Sequence, residues 1–315
     1  MKKISILLAA MVLFIFSLVS CDKSNPTETE KTGSIKGTII ETINKTALGS
    51  VTITTDPTTT TVTTNSLGEF EITDVTPGIY TVSASKSDYY TRPTKISVTA
   101  GKAATADISI RPLTVTDVDG NTYQTLQIGD QIWMAENLKV THYRNGAVIP
   151  QVADVDWRTL TGNGAHCEYD NNVNNVATYG RLYRWDAVTH NNNIAPLGSH
   201  MPSDAEWQVL IDYLSGVSAA GGKMKETGTV HWSSPNNGAT NESSFSGLPG
   251  GFREADYSGN RYLGMGNDGH FWSTTESGSN ATQEAIGFNL NYFSSTIKRE
   301  SYYQGHGLSV RCVMD

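Results

Sequence analysis

Charge, cysteine and the common catalytic signatures are all scarce in this chain of 315 residues. Asp, Glu, Lys and Arg make up 17% of it and hydrophobic residues 38%, so a folded surface must be built largely from Thr, Ser, Asn and Gly, a balance suited to extracellular β-rich proteins. Basic residues are the scarcer sign: 23 Lys and Arg face 31 Asp and Glu, a formal net charge of -8. An acidic chain without a basic stripe repels phosphate backbones and anionic headgroups. This argues against nucleic acid as a partner and leaves any membrane association to something other than charge. Only three Cys are present and none forms a C-x-x-C pair, which argues against a thiolate zinc site or a thioredoxin-like redox site. The seven His include no H-E-x-x-H, and neither a G-x-S-x-G elbow nor a phosphate-cradling glycine loop occurs. Cys167 follows His166, but neighbours on an extended chain point to opposite faces, so the pair reads as structural. The expectation is a protein without catalysis or an obligatory cofactor.

What is present begins at the N-terminus. Met1-Lys2-Lys3 is a short cationic start, and the apolar run from Ile4 to Val19 follows it. That run is shorter than the ~20 residues of a permanent membrane helix, and no stop-transfer charges come after it. It ends in Leu18-Val19-Ser20-Cys21, which resembles the lipobox of bacterial lipoproteins. The resemblance implies a signal peptide over 1–20, lipidation of Cys21 and a membrane as partner through the lipid, since two or three acyl chains hold a protein stably where one does not. The expected location is the cell envelope, at the outer membrane. Residues 21–32, polar and Pro-containing, read as a flexible tether. With Cys21 lipidated, Cys167 and Cys312 remain as candidates for one internal disulfide.

Residues 33–112 alternate in short segments: Ile35 with Gly37 and Ile39, Phe70 with Ile72, Tyr80 with Val82 and Ala84, Ile108 with Ile110. Period two, punctuated by Leu67-Gly68, Pro77-Gly78 and Ala100-Gly101, predicts an antiparallel sandwich. The Thr-rich stretch 52–64 fits edge strands. Gly33-x-Ile35-x-Gly37, Ala47-Leu48-Gly49-Ser50-Val51, Thr64-Asn65-Ser66-Leu67-Gly68-Glu69-Phe70, Val75-Thr76-Pro77-Gly78-Ile79-Tyr80 and Ser87-Asp88-Tyr89 follow in order. Together they resemble the carboxypeptidase regulatory-like domain, which implies an all-β, prealbumin-like sandwich acting as a spacer rather than a peptidase. Arg111-Pro112-Leu113 is a short, Pro-stiffened link to the next domain, expected to restrict its orientation.

Residues 113–315 hold all six Trp and eleven of the fourteen Tyr. Ser203-Asp204-Ala205-Glu206 predicts a capping box, with Trp207, Leu210, Ile211 and Leu214 forming one apolar stripe that ends before Gly216. A second helix is expected at about 179–188, and strands at 284–293 and 307–313. Several motifs here resemble the Fibrobacter succinogenes major paralogous domain: Ile128-Gly129-x-Gln131-x-Trp133-Met134-Ala135-Glu136-Asn137-Leu138, Tyr179-Gly180-Arg181-Leu182-Tyr183, Pro202-Ser203-Asp204-Ala205-Glu206-Trp207, Gly221-Gly222-Lys223-x-Lys225, Leu248-Pro249-Gly250-Gly251-Phe252-Arg253 and Ser309-Val310-Arg311-Cys312-Val313. The resemblance implies an α+β, C-type-lectin-like domain over 113–315. Ala195-Pro196-Leu197-Gly198-Ser199-His200 lacks the Cys and Trp usual there, which puts any family disulfide in doubt. The domain also resembles the formylglycine-generating enzymes, whose chemistry needs a pair of reactive cysteines; with one Cys in the matching region the likeness reads as shared architecture.

A lectin-like domain invites a glycan or another surface polymer as ligand. The interval 228–268 lacks strong apolar periodicity and is expected to form the ligand-facing loops, with Trp232, Asn241, Glu242, Tyr257 and Tyr262 as candidate ligand-binding residues. Calcium is the one cofactor to weigh. Asn236, Asn237, Asn241 and Glu242 supply oxygens, as does the run Asp117-Val118-Asp119-Gly120-Asn121, but turn formation accounts for both. The leading expectation is a lipid-anchored, non-catalytic binding protein. A structural or protein-adhesion role comes second, and an enzyme of the formylglycine-generating type third.

Overall fold

A computed structural model describes residues 31–152, 157, 160, 162, 164–255, 261–278 and 283–315. The first domain comprises β1 (Gly33–Glu41), β2 (Thr52–Asp56), β3 (Val62–Thr63), β4 (Glu69–Val75), β5 (Gly78–Ser85), β6 (Tyr89–Tyr90), β7 (Thr94–Val98), β8 (Ala103–Thr105) and β9 (Ile108–Pro112). One sheet runs β4-β1-β9-β6 with β8 also on β1, and the other runs β3-β2-β5-β7. Period-two burial places Ile35, Ile39, Val51, Ile53, Phe70, Ile72, Val82 and Ile108 in one core between them. Each such side chain contributes about 1.5–3 kcal/mol on leaving water. Glycine is required at Gly37, where β1 changes neighbour from β8 to β9: a Cβ there would sit 2.1 Å from the Ala106 carbonyl oxygen. The Thr-rich stretch forms the edge strand β3, as its composition predicts, but also β2, which is internal and paired with both β3 and β5.

The second domain contains β10 (Thr114–Thr116), β11 (Thr122–Ile128), β12 (Gln131–Met134), β13 (His166–Cys167), α1 (Val176–Tyr179), β14 (Leu182–Arg184), α2 (Trp185–Val188), β15 (Ser199–His200), α3 (Asp204–Tyr213), α4 (Val217–Met224), β16 (Gly250–Glu254), β17 (Arg261–Met265), β18 (Asp268–Ser277), β19 (Glu284–Asn291), β20 (Lys298–Tyr303), β21 (Gly307–Leu308) and β22 (Val313–Met314). Two sheets result, β10-β11-β12-β22-β15 and β13-β14-β21-β16-β18-β19-β20, with β17 on β16. Helix α3 starts as its sequence predicts. Ser203 Oγ accepts from the Glu206 N–H and Glu206 Oε2 accepts from the Ser203 N–H at 2.8 Å. Its stripe packs Trp207 against Trp133 and Phe288, with ring centroids 4.9 and 4.8 Å apart.

Three expectations change. The sandwich is not wholly antiparallel, since β1 pairs in parallel with β8 and β9. The helix expected at 179–188 is split into α1, β14 and α2. Gly180 ends α1 at φ 74°, and β14, buried at all three residues, pairs with both β13 and β21. Pairing on both sides outweighs the helical spacing. The run 307–313 likewise divides into β21 and β22. Helix α4 escapes the apolar pattern because Gly221 and Gly222 lie on its packed face. A Cβ at Gly222 would come within 2.2 Å of the Gly238 carbonyl oxygen. Among the described residues no helix is long and apolar enough to cross a membrane.

Arg111 joins the two domains. Buried at the end of β9, it donates to the Gly198 carbonyl at 3.0 Å and the Asp315 carbonyl at 2.5 Å. Tyr90 and Thr125 hydroxyls lie 3.3 Å apart across the same junction.

Candidate ligand-binding region

Cys21 and Tyr257 lie outside the described residues. Trp232, expected as an exposed stacking ring, is instead core. It is 1% exposed, its Nε1 donates to the Gly247 carbonyl at 3.0 Å, and the Lys225 ammonium lies 5.4 Å from its ring centroid. Several polar residues around it in sequence are turn formers, with Asn236, Asn241, Ser244 and Ser246 at positive φ. Asn241 is one of these: its Oδ1 accepts from the Ser246 N–H and its Nδ2 donates to Ser246 Oγ, both at 2.8 Å, at φ 51°. Glu242 is exposed and 3.4 Å from Lys223.

The calcium candidates do not converge. Asn236 Nδ2 donates to the Glu226 and Gly228 carbonyls, while Asn237 Nδ2 donates to the Phe293 carbonyl. Asp117 closes the β10–β11 hairpin, accepting from the N–H groups of Asp119 and Asn121 and from the Tyr123 hydroxyl at 2.6 Å. Among the described residues no group of three His, Cys, Asp or Glu side chains is placed to hold a metal.

The expected disulfide is also corrected. Cys167 and Cys312 are both free and buried, in separate apolar clusters. Cys312 Sγ sits 3.8 Å from Met201 Sδ, whereas Cys167 lies beside Arg253 and Tyr262. Burial pushes both thiols up, away from the reactive thiolate.

Tyr262 is the described aromatic candidate that stays near the surface. It is half-buried on β17, its hydroxyl donates to Asn171 Oδ1 at 2.7 Å, and its ring is 5.2 Å from Tyr169. Nearby in the fold, Tyr179 meets His231 edge-on at 5.8 Å, and His231 Nδ1 is 2.8 Å from Glu226 Oε2. Tyr169 packs on Gly251 and Tyr179 on Gly250, so the first step of β16 lies next to both ring pairs. Sequence reasoning missed Tyr169, Asn171, Tyr179 and His231, because all but His231 lie far from 228–268 in the chain. The Asn-rich run 170–175 beside Tyr169 was the available signal.

Buried cations, not disulfides, hold the surrounding loops. Lys225 Nζ donates to the carbonyls of Asn237, Asn291 and Ser294, each at 2.9 Å, and desolvation lowers its pKa to about 8. Arg311 stacks on Phe245 at 4.1 Å and donates to the Phe245 and Ser246 carbonyls and to Asn137 Oδ1. Arg144 gathers the Ala195, Pro196 and Ser199 carbonyls, and Arg253 stacks on Trp157 at 4.3 Å. Lys225, Arg311 and Arg144 each satisfy two or more backbone carbonyls of loops and strand ends.

The architecture is that of a two-domain, mostly β protein with an N-terminal sandwich. The carboxypeptidase regulatory-like domain matches residues 34–111, and the Fibrobacter succinogenes major domain matches residues 126–314. The chain belongs to the Fibrobacter succinogenes major domain family. No curated protein matches it. Among solved structures, the Bacillus anthracis TIE protein is similar at 18% identity over 29% of this chain and 23% of its own, with a TM-score of 0.24. GBS52, the minor pilin of Streptococcus agalactiae, is similar at 16% identity over 29% of this chain and 49% of its own, TM-score 0.24. The shaft pilin spaA of Lactobacillus rhamnosus GG is similar at 10% identity over 39% of this chain and 69% of its own, TM-score 0.20. The chain spans less than two thirds of the first two, and likeness at this level carries no functional argument.

Proposed function

We propose that the protein is a non-catalytic lipoprotein of the cell envelope, anchored through Cys21 at the outer membrane, whose second domain is of the C-type-lectin type and binds a glycan or another surface polymer. The observation that supports binding is the pair of ring contacts beside Gly250–Gly251, Tyr169 with Tyr262 and Tyr179 with His231, flanked by Asn171 and Glu226. Flat rings next to amide and carboxylate groups are the usual means of holding a sugar face. Both thiols are buried, and His270 is tied to the Tyr302 hydroxyl at 2.9 Å in a desolvated site, which speaks against these three groups as nucleophile or general base.

Retention of the whole chain on polysaccharide gels tests the binding. Tyr262→Ala and Tyr179→Ala should each weaken it, with thermal midpoints nearly unchanged. A lower midpoint with unaltered retention sinks the glycan reading. The anchor is tested separately, since Cys21→Ser should leave high-salt-washed membranes. A structural or protein-adhesion role is the second reading. It is favoured by the burial of all six Trp, which leaves the stacking surface to tyrosines.

A further inference from the structure

We propose that the open edge of β10, at the junction of the two domains, is a docking site for an extended, cationic peptide segment of a partner protein. Strands β9 and β10 form one run from Ile108 to Thr116, broken only at Leu113. One side of that run is covered first by β6, through Tyr90↔Arg111 and Tyr89↔Pro112, and then by β11, through Thr114↔Gln124 to Thr116↔Thr122. On the other side β1 pairs in parallel as far as Glu41↔Ile110, and the Thr42 N–H still reaches the Ile110 carbonyl at 3.0 Å. There β1 turns away, closing on itself through the Lys45 N–H and the Glu41 carbonyl. No described strand takes its place beside residues 112–116.

The alternation of an antiparallel ladder decides which groups remain. The bonds from the Thr125 N–H to the Leu113 carbonyl and from the Asp117 N–H to the Asn121 carbonyl assign residues 113, 115 and 117 to β11. The backbone groups of Thr114 and Thr116 therefore face the open side. The 3.1 Å approach of the Thr116 and Thr122 hydroxyls agrees, since non-hydrogen-bonded pairs lie closer. A groove of about 390 Å³ lies along this edge, lined by Glu41, Ile43, Tyr89, Pro112, Thr116 and Leu197. Past the exposed Leu197 it continues as a second groove of about 260 Å³ beside Val118 and Ile194. Five residues of edge offer about 16 Å of strand.

Backbone groups in a row demand another backbone, which sets the occupant as an extended peptide. Charge sets its sign. Glu41 lines the groove, and Asp88 adjoins Tyr89, which lines it too. The Glu41 carboxylate is buried and accepts from the Ile43 and Asn44 N–H groups at 2.6 and 2.8 Å, so it acts on an occupant through its field rather than by a direct bond. Arg111 is close to Glu41 but spends its hydrogen bonds on Gly198 and Asp315. A Lys or Arg at the Tyr89 end, with small apolar residues beside Leu197, complements this lining.

The test titrates the whole chain with the blocked heptapeptide Lys-Val-Thr-Val-Thr-Val-Lys and follows backbone amides by NMR. The Thr114 and Thr116 amides should shift and gain exchange protection. Thr114→Pro, which removes one outward N–H without touching the β11 ladder, should weaken binding at least tenfold, and Thr114→Val should not. A heptapeptide N-methylated at alternate positions should fail to bind the unaltered chain, a control independent of the variants' folding. Equal binding by the N-methylated or a Glu-flanked peptide, no shift at millimolar peptide, or self-association of the chain through this edge would each overturn the proposal.

Discussion

The guanidinium of Arg111 donates 2.5 Å to the backbone carbonyl of Asp315, tying the last strand of the sandwich to the end of the final strand of the second domain. A second bond, to the Gly198 carbonyl, makes Arg111 a two-point clamp, although that carbonyl also accepts from the Asp315 N–H at 3.1 Å. Arg111→Ala should cost about 2 kcal/mol, in the range for hydrogen bonds to charged groups. It should also free the second domain to swing about Pro112. Small-angle scattering should record a larger radius of gyration and calorimetry a lower midpoint. An unchanged scattering curve would mean that the Pro-stiffened link alone sets the orientation.

Among the described residues Lys225 has no carboxylate partner, yet it is fully buried. Three carbonyls 2.9 Å from its Nζ take the place of water, and they belong to two separate loops, 237 on one side and 291–294 on the other. Lys225→Met keeps the stem but strands the Asn237 and Ser294 carbonyls, while the Asn291 carbonyl still accepts from the Ser294 N–H at 3.3 Å. The expected loss is at least about 2 kcal/mol, since each unsatisfied buried acceptor costs about 1–3 kcal/mol. Denaturant titration of the whole chain measures it, and a change below about 1 kcal/mol would show that water enters and satisfies the cage.

How legible this was from sequence depends on the range of the forces involved. Local rules worked where local forces decide. Ser203 and Glu206 cap α3 as their spacing predicts, and the alternation around Ile35, Phe70 and Val82 places the sandwich core. The candidate surface was only partly readable, because the partners of Tyr262 come from 169–171 and a ring among Ser and Asn looks the same whether exposed or, like Trp232, folded under. Lys225 and Arg311 were recognised as motif letters, but nothing local says that a cation will be buried against carbonyls 66 positions away.

Four histidines of the second domain should split into two classes by pH. Desolvation lowers His166 and His270 to about 3 and His306 to about 4, against an unfolded value near 6.5. A folded pKa below the unfolded one means that stability is fully present above about 6.5 and drains as pH falls toward 3–4, by about 1.4 kcal/mol per pH unit per group. His200 is opposite. Desolvation works against its charge, but Glu206 at 2.6 Å and Asp315 at 2.7 Å outweigh that and raise its pKa. Its contribution is full below about 6.5 and lost as pH rises through the raised value. Imidazole NMR should show His200 titrating above 6.5 while His270 stays neutral to pH 5. A His270 resonance titrating near 6.5 would mean that its site is hydrated.

Cys167 and Cys312 give the sharpest test of the packing. Their clusters differ: Cys167 lies with Trp157, Tyr169 and Leu182, and Cys312 with Met134, Met201 and Val310. Strand β13, which carries Cys167, sits at the far edge of one sheet, whereas Cys312 lies just before β22 in the other. A bond between them would have to tear one residue from its own cluster, since the Cα atoms of a disulfide must come within about 7 Å. Both thiols are buried and held protonated, so alkylation of the native protein should be slow at pH 8. In denaturant without reductant, intact mass should show both thiols labelled. A chain that takes up label at these two positions only after reduction would mean that they are bonded, and that the two clusters are arranged differently from the fold described here.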